Sequence, residues 1–138
     1  MTSDANGGTA EEAVRRKRIL IVDDEVFVRE AGCAMLDMLG FQAEAVASAE
    51  QALQTLQDDS AQYDLVLIDL NMPGMQGDEC FCAMKAINPE LHAAIISGSI
   101  TNDSRIRALL PHGLLGVIQK PFTMDSLTRH LAEFLPEQ

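Results

Sequence analysis

The sequence predicts one α/β domain, an open doubly wound parallel sheet of five strands covered by five helices. Three observations predict it. Ile19-Leu20-Ile21-Val22, Leu65-Val66-Leu67-Ile68 and Ala93-Ala94-Ile95-Ile96 are short unbroken apolar runs, the pattern of strands buried on both faces. Stretches with apolar residues at helical spacing separate them, so strand and helix alternate along the chain. The length, 138 residues, suits one domain with a real core.

Residues 1–17 have little apolar content and are expected to form a disordered leader, with the folded unit spanning 18–138. The first strand, Ile19 to Val22, stops at Asp23-Asp24-Glu25. From about Phe27 the period is helical, with Val28, Gly32, Met35, Leu36 and Leu39 on one face and Gly40 as the stop. Phe41 to Ala47 is a short, weak strand. Ser48 caps the next helix, with Gln51 as a capping-box partner and Ala52, Leu53 and Leu56 as its apolar side. The third strand ends at Asp69, and the turn formers Asn71-Met72-Pro73-Gly74-Met75-Gln76-Gly77 follow.

Asp78 opens a helix that buries Cys80, Phe81, Met84 and Ile87. The fourth strand ends at Ser97-Gly98-Ser99. A helix from about Asn102 to Leu110 precedes the fifth strand, Leu115 to Ile118, which leads to Gln119-Lys120 and a break at Pro121. Thr123 caps the last helix, whose stripe is Leu127, Leu131 and Leu135, flanked by Ala132 and Phe134. Right-handed crossovers leave few topologies, and the flavodoxin-like strand order 2-1-3-4-5 is the expectation.

Composition excludes several functions. The formal net charge is −11, and four of the ten basic residues are Arg15, Arg16, Lys17 and Arg18. From Ile19 onward six basic and eighteen acidic residues leave a net −12, which repels a phosphate backbone and argues against nucleic-acid binding. No apolar run approaches the roughly 20 residues of a membrane helix, and no signal peptide is evident, so the expected location is cytoplasmic. The three cysteines lack zinc spacing; Cys80 is expected in the core and Cys82 at the surface, neither catalytic.

In such a sheet the working crevice lies beyond the carboxyl ends of the strands, where strand order reverses. Strand one ends in Asp23 and Asp24, its neighbour strand three in Asp69, strand four in Ser97 and strand five in Lys120. Three carboxylates crowded together repel, and a hard divalent cation such as Mg2+ resolves the conflict. With Lys120 counted, the site sums to zero and can receive phosphoryl oxygens. Taken singly, each group has a blander reading. The Asp23-Asp24-Glu25 run is a plausible solvated helix cap and Asp69 a turn former before Pro73. Ser97-Gly98-Ser99 reads as an ordinary loop entry and Lys120 as a surface lysine.

The stretches Ile19 to Glu25, Asp64 to Gly77, Ile95 to Ser99 and Gln119 to Phe122 together resemble the signature blocks of two-component response regulator receiver domains. The resemblance covers about residues 19–137. It implies that Asp69 accepts a phosphoryl group from the phosphohistidine of a sensor histidine kinase or histidine phosphotransfer protein. Asp24 and Asp69 would ligate Mg2+, with Asp23 acting through a bound water and Asn71 through its backbone carbonyl. Ser97 and Lys120 would contact the phosphoryl group. The family also has a cis peptide where this chain has Lys120–Pro121.

The same resemblance implies a switch that alters binding of a downstream protein, slow hydrolysis of the chain's own acyl phosphate and no turnover of external substrates. A monomer is expected, with a phosphorylation-dependent dimer through helix four, strand five and helix five as the alternative; Arg105, Arg107, Asp125 and Arg129 are candidate ion-pair residues there. The chain ends just past the last helix, so no output domain is expected. Two departures from the family pattern stand out: Ser97 replaces a frequent Thr, and Val117 stands where a Tyr or Phe often swings inward. Ser99 falls where side chains influence access of water to the phosphoryl group. An aspartate-dependent phosphohydrolase would carry Asp-x-Asp after strand one and a cap segment. A flavin carrier would need a phosphate loop where this chain has three acids.

Overall fold

The computed structural model describes residues 16–59, 63–98 and 103–135. Most of the expected leader, and Ser99 with Asn102, lie outside the described residues. The elements are β1 (Arg18–Val22), α1 (Val26–Met38), β2 (Gln42–Val46), α2 (Ala49–Asp59), β3 (Leu65–Asp69), α3 (Gly77–Ile87), β4 (Ala93–Ser97), α4 (Ser104–Leu109), β5 (Val117–Gln119) and α5 (Met124–Phe134). All strand pairs are parallel, and the sheet order is β2-β1-β3-β4-β5, as the alternation predicts.

The central strands account for the unbroken apolar runs. Every residue of β3 and β4 is buried, because helices cover both faces of the sheet. Successive side chains alternate between faces. Leu20, Val22, Val66, Ile68 and Ile95 pack with Ala52 and Leu56 of α2, Phe81 and Met84 of α3 and Ile106 of α4. Ile19, Ile21, Leu65, Leu67 and Ile96 pack on the opposite face with Leu36 of α1 and Leu127, Leu131 and Phe134 of α5. The weak β2 signal has a simple cause: β2 is an edge strand, and none of its residues is fully buried.

Local signals set most helix ends. Gly40 adopts φ 97°, a left-handed conformation that favours glycine, and its N–H donates to Asp37 O. Ser48 Oγ accepts from Gln51 N at 3.1 Å, while the Gln51 side chain reaches past the cap to Ala47 N at 2.8 Å. Thr123 Oγ1 accepts from Ser126 N at 3.1 Å, capping α5. Leu135, the last residue of the expected stripe, is buried just beyond the helix end.

Of the boundaries that differ from expectation, three have a local cause. The third helix opens at Gly77 rather than Asp78, because Gln76 is the cap and its N–H bonds Glu79 Oε1 at 3.1 Å. The fourth helix is shorter, Ser104–Leu109, and tightens into a 3-10 turn over Leu110–His112, where Pro111 supplies no N–H. The fifth strand is Val117–Gln119 rather than Leu115 to Ile118, because only those residues register with Ile95–Ser97 of β4. Among the described residues no helix is long and apolar enough to cross a membrane.

Candidate functional site

The topology puts β1 beside β3, so their carboxyl ends meet where strand order reverses. Carboxylate oxygens of Asp23, Asp24 and Asp69 come within 4.8 Å of one another. Asp23 is fully buried and Asp69 is 4% exposed, whereas Asp24 faces solvent. The Asp23 backbone extends the sheet, its N–H donating to Val46 O at 3.1 Å. Asp23 Oδ1 accepts from Glu25 N at 2.8 Å, and Arg29 Nη1 donates to Asp23 O at 2.8 Å. The solvated-cap reading does not describe Asp23: its carboxylate is buried beside Asp69, and the cap residue of α1 is Glu25, whose side chain makes no cap bond.

Lys120 follows β5, and its N–H bonds Ser97 O at 2.8 Å, which ties it to the end of β4. The peptide between Lys120 and Pro121 is cis. The Lys120 ammonium lies 3.0 Å from Asp23 Oδ2, 3.0 Å from Glu25 Oε1 and 3.3 Å from Asp69 Oδ1. Asp23 Oδ2 is buried, and among the described residues its charged partner is the Lys120 ammonium. Glu25 is the member of this cluster that sequence reasoning left out. The neutral sum of three carboxylates, one divalent ion and one lysine therefore omits a fourth negative charge. The signal was present in the chain, as the third acid of the run after β1.

Burial raises the pKa of Asp69 to about 6, the neighbouring Asp23 charge pushes it the same way, and Lys120 only partly opposes them. Burial by itself would lower the pKa of Lys120. The carboxylates of Asp23, Glu25 and Asp69 outweigh it, and the ammonium is held protonated well above its usual range. Asn71 N–H reaches Asp69 Oδ1 at 3.4 Å. Ser97 is fully buried at the end of β4, one residue beyond the Ile96 that registers with Asp69.

The loop after Asp69 is closely packed. A Cβ on Gly77 would lie 2.3 Å from Asp69 O and 2.7 Å from Leu70 Cα, so only glycine lets α3 begin against the end of β3. Arg105 of α4 also touches this loop, donating to Gln76 Oε1 at 2.6 Å and Asn71 Oδ1 at 3.2 Å. Arg105, a candidate ion-pair residue of the alternative dimer face, pairs within the chain with Asp103 at 2.9 Å, the cap of its own helix. Val117 is half-buried and packs against the first core cluster. Cys80 is buried, with its thiol pushed up to about 12 by desolvation, and Cys82 is exposed.

Comparison with known proteins gives a consistent picture. The family described as response regulator receiver domain matches residues 19–132. The chain is 31% identical over 120 residues to sporulation initiation phosphotransferase F of Bacillus subtilis, covering 87% of this chain and 94% of that protein. It is 25% identical over 127 residues to transcription factor SKN7 of Chaetomium thermophilum, but spans only 16% of that protein's length. Among solved structures, a CheY-like receiver domain protein from Methanospirillum hungatei superimposes with TM-score 0.80 at 26% identity, covering 88% of this chain and 95% of that one.

Proposed function

This chain belongs to the response regulator receiver domain family, and from that premise we propose that Asp69 takes a phosphoryl group from the phosphohistidine of a sensor histidine kinase or histidine phosphotransfer protein. One observation carries the proposal. The Asp69 carboxylate is held between the Lys120 ammonium and the carboxylates of Asp23 and Asp24, at the ends of adjacent strands.

The donor set fits Mg2+. Three hard carboxylate oxygens converge within 4.8 Å, and Lys120 alone does not balance the four acids around it. Asp23, Asp24 and Asp69 would hold the ion together with the Asn71 carbonyl. Bound there, it would supply positive charge to the oxygens of the transferring group.

The chain's own residues have separate tasks. An Asp69 oxygen attacks phosphorus and forms a P–O bond. The P–N bond to the donor imidazole breaks, its electron pair returns to nitrogen, and a proton on the other ring nitrogen leaves a neutral imidazole. Lys120, already beside Asp69, moves its charge onto the new phosphoryl oxygens, and the Ser97 hydroxyl donates to one of them. The domain then hydrolyses its own acyl phosphate slowly and turns over no external substrate.

Next to Lys120, an apolar groove between α1 and the segment after β5 is lined by Phe27, Val28, Met35 and Phe122. Phe27 is 80% exposed. Such a surface beside the acceptor supports docking of the donor protein. In the same reading the domain is a cytoplasmic monomer whose phosphorylation changes its binding of a downstream protein.

The test is intact-mass measurement after incubation with acetyl phosphate and Mg2+. One added phosphoryl group, absent in Asp69→Asn, is the expected result. Undiminished uptake by that variant, or none by the parent protein, would sink the proposal. Transfer profiling against histidine kinases and phosphotransfer proteins then identifies the donor.

A further inference from the structure

Among the described residues the Arg105 guanidinium makes four hydrogen bonds, and they join two parts of the fold. Nε and Nη2 grip the two carboxylate oxygens of Asp103 at 3.1 and 2.9 Å, a bidentate fork on the cap of its own helix. Nη1 bonds Gln76 Oε1 at 2.6 Å, and Nη2 bonds Asn71 Oδ1 at 3.2 Å. Asn71 and Gln76 stand at opposite ends of the loop between Asp69 and α3. A single guanidinium from α4 thus holds both ends of that loop, and Asp103 holds the guanidinium in place.

We propose that Arg105 is a positioning residue for the acceptor loop and the link through which α4 responds to phosphorylation. The inference rests on the acceptor reading of Asp69. Asn71 is the point of contact, because its N–H reaches Asp69 Oδ1 while its side-chain oxygen accepts from Arg105 Nη2. Converting the Asp69 carboxylate to an acyl phosphate changes the charge and shape that the Asn71 N–H meets. The Asn71 side chain shifts with its backbone, and Arg105 must follow or release it. Through the Asp103 cap, either outcome is passed to the first turn of α4. Val117, a half-buried aliphatic side chain on β5, has no ring with which to relay the event. The polar link on the other side of β4 takes over that task.

The experiment records amide NMR spectra of the full chain with Mg2+, with and without beryllofluoride, for the parent protein and for Arg105→Ala and Arg105→Lys. Lysine keeps the charge but lacks the fork, so it cannot grip Asp103 and the loop together. In the parent, shifts at the ends of β3 and β4 should continue through Asp103–Leu109. In both variants the β3 and β4 shifts should persist, and those of Asp103–Leu109 should be lost. If Arg105→Ala does not fold, Arg105→Lys decides. Parent-sized α4 shifts in a folded variant overturn the link, as do parent shifts that never reach α4, and in both cases Asp69 remains the acceptor. A parent protein with no beryllofluoride response at all overturns the acceptor reading together with the link.

Discussion

Lys120 Nζ lies 3.3 Å from Asp69 Oδ1, an ion pair that bridges the ends of β5 and β3 across the intervening β4. The pair forms inside a cluster of four acids, so the lysine is shared rather than dedicated. Its charge favours the ionised form of Asp69, and under the proposed function its loss is felt in phosphoryl uptake before it is felt in the fold.

Lys120→Ala should therefore slow phosphoryl uptake from acetyl phosphate on the order of 100-fold, the usual cost of one preorganised donor at a developing charge. Time-resolved intact-mass measurement checks it. A rate within a factor of about two of the parent's would show that Lys120 has only a structural role.

In the metal-free protein the folded-state pKa of Asp69, about 6, exceeds its ordinary 3.8. The folded state therefore holds a proton that the unfolded state releases between those values. Stability tied to this group is present below about pH 4 and is lost as pH rises through 6. Asp69→Asn, which cannot ionise, should be more stable than the parent at pH 7 by roughly 2 kcal/mol, with the gain vanishing near pH 4. Urea titrations in chelator at the two pH values measure it, and equal gains at both would refute the linkage.

The same proton competes with the cation. Mg2+ affinity should fall as pH drops below about 6, because binding must displace the Asp69 proton. Calorimetric titration in buffers of different ionisation enthalpy detects the released proton. An affinity flat from pH 5 to 8 would contradict the raised pKa.

Gly77→Ala should destabilise the protein by about 2 kcal/mol or more, since its Cβ would meet the Asp69 and Leu70 backbone, which cannot step aside as a flexible side chain could. Gly98→Ala, with nothing within 4 Å of its added carbon, is the matched control and should change stability little. Chemical denaturation of both variants checks the contrast.

Tyr63 Oη donates to Glu44 Oε1 at 2.5 Å, while Arg18 Nη2 holds Oε2 at 2.7 Å and stacks over the Tyr63 ring. Burial works against the Glu44 charge, but the Tyr63 and Arg18 hydrogen bonds prevail and hold its pKa below the ordinary value. The associated stability is present above pH 4.5 and is lost as pH falls through the depressed value. Tyr63→Phe should cost about 1 kcal/mol at neutral pH, and that difference should shrink in acid. Denaturation curves at the two pH values test it.

By itself the sequence determined the strand order, the burial of the three central strands and the identity of the groups at their ends. Apolar runs without alternation belong to strands covered on both faces, and a parallel sheet of this kind gathers its strand ends on one side. Asp23, Asp24, Asp69 and Lys120 were legible for that reason. Tertiary structure alone decided which of these groups touch. Lys120 divides itself among Asp23, Glu25 and Asp69, and Arg105 bonds Asn71 and Gln76 of the loop after Asp69. Such contacts join side chains from segments far apart in the chain. Strand register and cap geometry set their distances, and a run of residues taken alone records neither.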